Sequence, residues 1–338
     1  MKTTLLAGHL AAAVSLSTLA LMALTPANAL ACACGCGVFD VGDGTLMSDS
    51  GSPGSVWFRD SYMDQTDNWE GDHRATAADN GDKEIKTSFF TVGGQYMITP
   101  KWTVMAELPV YDRALTTTDD GSVFAAAGSV YTGHDTAQGD LELMATYSGL
   151  SPDMTTGLTF GVKLPTGDFA GPKGPLGGTE FDRDSLPGTG STDLIVGAYH
   201  AGEFGPTSHW SYFVQTRYQF AVAERDSYRP GNESDTAIGV TYDLGAHGPA
   251  TRIAPMLQLL NSYRDHDSGG EADYLNSGYE RVLLAPGVEI QFNHIRIYAD
   301  VAVPIYQHTN AAANPSIEGT AGQLTAPALF KLQTAYDF

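Results

Sequence analysis

The feature that most limits what this chain can fold into is a two-residue alternation of apolar and polar side chains, repeated in long segments. Trp102, Val104, Ala106, Leu108 and Val110 interleave with Thr103, Met105, Glu107, Pro109 and Tyr111. Successive strand residues point to opposite faces, so this pattern describes a ribbon with one greasy side. It recurs at Leu158-Phe160-Val162-Leu164 against Thr159, Gly161 and Lys163, and at Trp210-Tyr212-Val214-Thr216-Tyr218-Phe220 against Ser211, Gln215, Arg217 and Gln219. Near the end, Ile295-Ile297-Ala299-Val301-Val303-Ile305 alternates with Arg296, Tyr298 and Asp300. No helical period persists for three turns. After residue 29 no apolar run approaches the roughly 20 residues of a membrane-spanning helix.

A soluble sandwich also alternates, so the connections decide. Short ones fall at 99–101, 151–153, 205–207, 246–249 and 293, and long polar ones at 67–83, 114–138, 169–190, 224–233, 265–277 and 308–323. An even number of strands with short turns on one side and long loops on the other is the pattern of an outer-membrane barrel. The expected strands are 54–66, 84–98, 102–113, 139–150, 156–168, 191–203, 209–223, 234–245, 251–264, 278–292, 294–307 and 325–338. Each exceeds the roughly 9–11 residues a tilted strand needs to cross the apolar layer. The fold class is therefore all-β, a transmembrane antiparallel up-and-down barrel of about twelve strands, of outer-membrane type. Trp102, Trp210, Tyr96, Phe292, Tyr147 and Tyr336 sit near the strand ends, where amphipathic rings favour the headgroup level. The chain ends in Phe338, an aromatic terminus that suits barrel assembly.

The N-terminus agrees with export. Met1–Ala29 opens with Lys2, continues with an apolar run from Leu10 to Leu24, and closes on Ala27-Asn28-Ala29, a small-x-small cleavage pattern. The organisation expected is a signal peptide over 1–29, a periplasmic segment over 30–53 and the barrel over 54–338. Only 17% of the 338 residues are charged, and the formal net charge is −21. A chain with so few basic residues has no face to neutralise phosphates, which excludes a nucleic-acid partner.

If the apolar face meets lipid, the other face lines an interior. The lumen-lining candidates are Glu107, Glu142, Lys163, Arg217, Asp243, Arg264, Arg281, Glu289, Arg296, Asp300 and Lys331. Both signs are present. They either pair across a filled lumen and only hold the barrel shut, or border a narrow wet passage that selects by size and polarity. Inward apolar residues Met105, Tyr111, Met256, Leu260, Tyr298 and Tyr306 would give such a passage affinity for an aromatic or aliphatic solute.

Lys163-Leu164-Pro165-Thr166-Gly167-Asp168, followed by Gly188-Thr189-Gly190-Ser191-Thr192-Asp193-Leu194, resembles the signature of the outer-membrane transporter family associated with phenol meta-cleavage pathways. Leu284-Ala285-Pro286-Gly287, Val303-Pro304-Ile305-Tyr306 and the strand ending at Phe338 are similar to that family's last three strands, so the resemblance spans about 155–338. It implies a transporter-like barrel for hydrophobic compounds. Physically, Pro165 and Gly167 would end a strand, and Thr189, Ser191 and Asp193 would bond local backbone where the next begins.

Cys32, Cys34 and Cys36, spaced two apart near the mature N-terminus, suit a soft metal ion or a disulfide, with Cys32–Cys36 the less strained pair. No other cofactor is expected. His73, His134, His266 and His308 fall in predicted outer loops among acidic residues. The partners expected are outer-membrane lipid and lipopolysaccharide, a small-molecule solute, and a periplasmic protein for the cysteine segment. The leading function is a channel or transporter. The rivals are a structural barrel whose cysteines bind a metal or partner, and a lipid-face hydrolase built on His200, the only strand-borne histidine with a candidate position; an enzyme is not the expectation.

Overall fold

The computed structural model describes residues 52–77, 80–118, 128–172, 181–205, 208–311 and 322–338. The predicted leader and Cys32, Cys34 and Cys36 lie outside the described residues.

Alternation and turn chemistry produce twelve barrel strands: β1 (Gly54–Gln65), β2 (Asp82–Thr99), β3 (Trp102–Thr118), β4 (Val130–Gln138 and Leu141–Tyr147), β5 (Thr156–Leu164), β6 (Thr192–Glu203), β7 (Trp210–Ala223), β8 (Glu233–Tyr242), β9 (Arg252–Arg264), β10 (Tyr279–Phe292), β11 (Ile295–Thr309) and β12 (Leu329–Asp337). Each pairs antiparallel with its sequence neighbours. The sheet closes where β1 meets β12, in register from Ser55–Asp337 to Met63–Leu329. Gly54 and Phe338 tie the two ends together: the Phe338 N–H donates to the Gly54 carbonyl at 2.9 Å and the Gly54 N–H returns the bond at 3.2 Å. Closure leaves no unpaired edge, which is what lets a sheet exist in hydrocarbon. Among the described residues no helix is long and apolar enough to cross a membrane.

Both chain ends of the barrel and the short turns share one rim, and the long connections share the other. Asn293, in the two-residue turn from β10 to β11, adopts φ 53°, a left-handed geometry that Asn tolerates well. At this rim aromatic pairs mark the lipid boundary, with Trp102 and Tyr147 at 5.0 Å and Trp210 and Tyr242 at 4.9 Å between ring centroids. Val92, Phe58, Phe160, Ile238, Leu257 and Phe330 are exposed on the outer face, while Arg59, Glu107, Gln258, Asp300 and Gln333 are buried inside.

Four departures from the expected strands and faces have local causes. β3 and β4 run further outward than their Gly- and Thr-rich sequence suggested, because Val110–Thr118 and Val130–Gln138 pair with one another. Gly139 and Asp140 interrupt β4, and the lower segment Leu141–Tyr147 then resumes pairing with Trp102–Glu107. At the end of the chain, Gln323–Thr325 joins Asp67–Glu70 and His73–Arg74 in a separate three-stranded sheet at the long-loop rim, so β12 starts at Leu329. Finally, Tyr306 is not inward: the β10–β11 register jumps from Val282–Tyr306 to Leu283–Pro304. The extra residue, Ile305, reverses the parity, leaving Tyr306 45% exposed on the outer face and burying Gln307.

Replacing outward Leu257 with Arg is expected to cost about 2–4 kcal/mol, the range for a cation on a barrel's lipid face near the midplane. Denaturant unfolding of the protein in lipid vesicles measures this; an unchanged midpoint would mean that Leu257 does not face lipid.

Candidate functional site

The lumen is filled in layers, each assembled from inward positions of neighbouring strands. At the short-turn rim, Arg296 of β11 grips Asp337 of β12 with Nε and Nη2 at 2.9 and 3.2 Å, and reaches Glu289 of β10 at 3.4 Å. Arg252 of β9 donates to the same Glu289 at 2.8 Å. One step outward, Gln258 donates to the Tyr298 hydroxyl at 2.7 Å, Tyr298 bonds Asp300, and Lys331 stands opposite Asp300 in the β11–β12 register. Above them lies an apolar belt that includes Met63, Phe89, Phe213, Leu260, Leu283 and Leu329.

A second polar network occupies β3 to β7 and reaches β1. Arg217 of β7 donates through Nη2 to Glu142 of β4 at 2.7 Å and also to Gln219. Arg59 lies 3.6 Å from Glu107. Lys163 of β5 bridges Asp140 at 3.2 Å and Asp193 at 2.9 Å, and donates to Thr189 and Ser191. Asp140 in turn accepts from the Gly167 N–H at 3.0 Å and from the Thr189 N–H and hydroxyl at 3.0 and 2.7 Å. Buried charges persist only when paired and fully hydrogen-bonded, and removing one partner of such a pair costs about 3–5 kcal/mol.

This network fastens the described parts of the β5–β6 connection, residues 165–172 and 181–191, inside the barrel. Gly139, Gly167 and Gly188 cross backbone on backbone: a Cβ on Gly188 would lie 2.4 Å from the Gly167 carbonyl carbon, and one on Gly167 would lie 2.7 Å from Gly139. Further in, a short 3-10 turn at Arg183–Ser185 presents the Ser185 carbonyl to Arg113 of β3. Phe181 and Leu186 flank that turn and pack with Ile85 of β2, Leu115 of β3 and Leu324. The segment acts as a plug, with a greasy seat near the long-loop rim and an ionic latch below it.

Among the described residues, the lumen holds a smaller and a larger cavity. A polar chamber of about 150 Å³ is lined by Arg59, Glu107, Glu142, Lys163, Arg217 and the plug's Pro187, among others. A wider vestibule of about 410 Å³ reaches the short turns at Pro100 and Asp153 and is walled in part by Met97, Met105, Met144, Phe213 and Arg252.

Most of the sequence-predicted lumen set falls on this interior. Glu107, Glu142, Lys163, Arg217, Arg281, Glu289, Arg296, Asp300 and Lys331 are buried. Two members sit at the rims. Asp243 follows the last residue of β8, with its side chain 40% exposed and 3.4 Å from Arg252. Arg264 ends β9, bonding Asp267 of the outer loop at 2.7 Å while still lining the polar chamber. Leu164 ends β5, so Pro165 and Gly167 do terminate that strand. Thr189 accepts the local Ser191 N–H at 3.3 Å as expected, and Thr189, Ser191 and Asp193 also engage Lys163, Asp140 and Gln219. Sequence reasoning did not find Asp140, Arg59, Phe213, or the plug residues Phe181 and Leu186. His200 faces outward between Thr156 and Tyr212, at 2.9 and 3.2 Å; these are its hydrogen-bond partners among the described residues, and neither is a serine or a carboxylate.

No protein-family model matches the chain and no curated protein sequence matches it, so the likeness to phenol meta-cleavage transporters stands on its motifs alone. Among solved structures, the COG4313 outer membrane channel from Pseudomonas putida F1 aligns with a TM-score of 0.60 and 12% identity, covering 85% of this chain and 96% of that one. The beta domain of the Bordetella autotransporter BrkA aligns at 0.48 with 12% identity over 85% and 100% of the two chains. The P. putida toluene transporter TodX aligns at 0.42 with 10% identity over 85% and 90%. At 12% identity, the likeness to the P. putida channel is one of fold.

The plug's seat is sensitive to protons. Asp82, 4% exposed, begins β2 beyond the lipid band, whose outer limit is marked by the outward Lys86–Glu84 ion pair. Burial pushes its carboxyl from 3.8 up to about 7; Asp184 of the plug adds to the rise, while the Thr117 hydroxyl and Lys83 oppose it. Asp182 of the plug is also raised well above its ordinary value, by burial and then by Asp82, Asp184 and Asp273. A carboxyl that holds its proton only when the plug is seated stabilises the seated form at low pH, and that contribution is lost as pH rises from about 4 to about 7. Hydrogen exchange at residues 181–190, corrected for intrinsic rates, is therefore expected to quicken between pH 5 and pH 7.5. In Asp82→Asn that pH dependence should shrink; an identical profile would show that Asp82 does not govern the seat.

Proposed function

We propose that this protein is an outer-membrane channel for small solutes with apolar or aromatic bodies, held shut at rest by the inward-folded β5–β6 connection. The observation that carries the reading is the chamber and vestibule under that plug: a barrel that served only as a scaffold has no need of a 410 Å³ space opening at its short-turn rim. Thioether and aromatic groups from Met97, Met105, Met144 and Phe213 give that space affinity for carbon surface, while paired charges around it admit water and set size limits. The fold likeness to the P. putida outer membrane channel supports the same reading. In this reading the short-turn rim, where β1 begins at Gly54, faces the periplasm.

Opening requires the plug to leave Ile85 and Leu115, exposing Phe181 and Leu186. Burying such side chains is worth about 1.5–3 kcal/mol each. Phe181→Ser combined with Leu186→Ser is therefore expected to raise the open fraction in planar bilayers by about tenfold or more. The wild type should show rare openings blocked by small apolar solutes. Silence from both proteins would overturn the channel reading.

A further inference from the structure

Arg217 is common to the linings of both cavities. It is 8% exposed and held from the chamber side by Glu142 and Gln219. Its register neighbours are Gly197 on β6, which contributes no side chain and lines the vestibule, and Asp235 on β8, which lines the chamber. Directly below the Arg217–Glu142 bridge, the same two strands turn apolar: Met144 follows Glu142 on the inward face of β4, and Phe213 precedes Gln215 and Arg217 on that of β7. Met105 of β3 stands opposite Met144 in register.

We propose that Arg217 is the inner gate and the solute-selecting residue, and that the preferred solute is a small monocarboxylate with an apolar body. This rests on the channel reading and deepens it. A solute in the vestibule lays its carbon surface along Met105, Met144 and Phe213 and brings its carboxylate to Arg217. A guanidinium carries five N–H groups in a planar fork, and charge-assisted bonds to carboxylate are the strongest it makes. An incoming carboxylate therefore replaces what Arg217 gives up when it swings away from Glu142. A neutral solute offers no such replacement, and a cation meets like charge in a water-poor site, so both are disfavoured at the same step. The two other guanidinium groups on the vestibule wall are engaged at the rim. Arg296 is gripped by Asp337 and Glu289, and Arg252 by Glu289 and Asp243. Arg217 alone of the three also lines the polar chamber, so it is the one a carboxylate meets between the two cavities.

The test compares hexanoate with hexan-1-ol, which match in carbon chain and differ in charge. Two readouts are used: binding to the detergent-solubilised protein by calorimetry, and block of current in planar bilayers. The wild type should favour hexanoate by at least about tenfold in both. Arg217→Met, which keeps the length and removes the charge, should abolish the preference, and Arg217→Lys should retain part of it. A wild type that binds both equally, or an Arg217→Met protein with the wild-type ratio, overturns the proposal while leaving a conducting channel intact. Arg217-dependent binding without any current would keep the site and sink the channel reading.

Discussion

The structure depends on the cost of a bare peptide group in hydrocarbon. A lipid-embedded N–H or C=O without a partner costs several kcal/mol, so every strand must pair on both sides. The junction between β1 and β12, held from Ser55–Asp337 to Met63–Leu329, is what turns a sheet into a cylinder. Once the cylinder closes, strand parity has only two destinations. One set of side chains faces lipid and is greasy; the other faces inward and is free to be polar, provided its charges find one another.

That second condition shapes the lumen. Inward residues are not spread as an open polar coat but gathered into bonded groups: Arg252, Glu289, Arg296 and Asp337 near one rim, and Arg217, Glu142, Lys163, Asp140 and Asp193 deeper in. The second group also captures main chain. Asp140 bonds the backbone of Gly167 and Thr189, so both described ends of the β5–β6 connection are drawn into the barrel. Three glycines make this crossing sterically feasible, and the apolar seat around Phe181 and Leu186 completes the closure.

How far this was legible in the sequence follows from what each feature depends on. Parity over β3, β5 and β7 was readable because Trp102, Phe160 and Trp210 begin or sit in outward rows that stay apolar or aromatic over most of their length, and the alternation of short and long connections defined the architecture. Where a local irregularity resets parity, the reading failed: Tyr306 was assigned inward because nothing in Val303-Pro304-Ile305-Tyr306 announces the register jump at Val282/Leu283. Phe213 was overlooked because it interrupts a polar inward series with an apolar ring. The outer half of β4 read as loop because its Thr-rich alternation lacks apolar contrast above the lipid. The plug lay beyond reach for a different reason. A connection's polar composition does not say whether it folds out into water or inward onto buried ions, and Lys163, Asp140 and Thr189 are partners only once strands and connection share one interior.

The central claim is that traffic through this barrel passes where the β5–β6 connection now sits. It is tested most directly by pinning that connection. Leu115 and Leu186 belong to one apolar cluster, so both can be replaced by Cys in a protein whose Cys32, Cys34 and Cys36 are Ser, and joined by a short cleavable thiol linker. The account predicts that liposomes carrying the linked protein take up no small solute and that cleaving the linker restores uptake. Uptake that proceeds equally with the linker intact would contradict it.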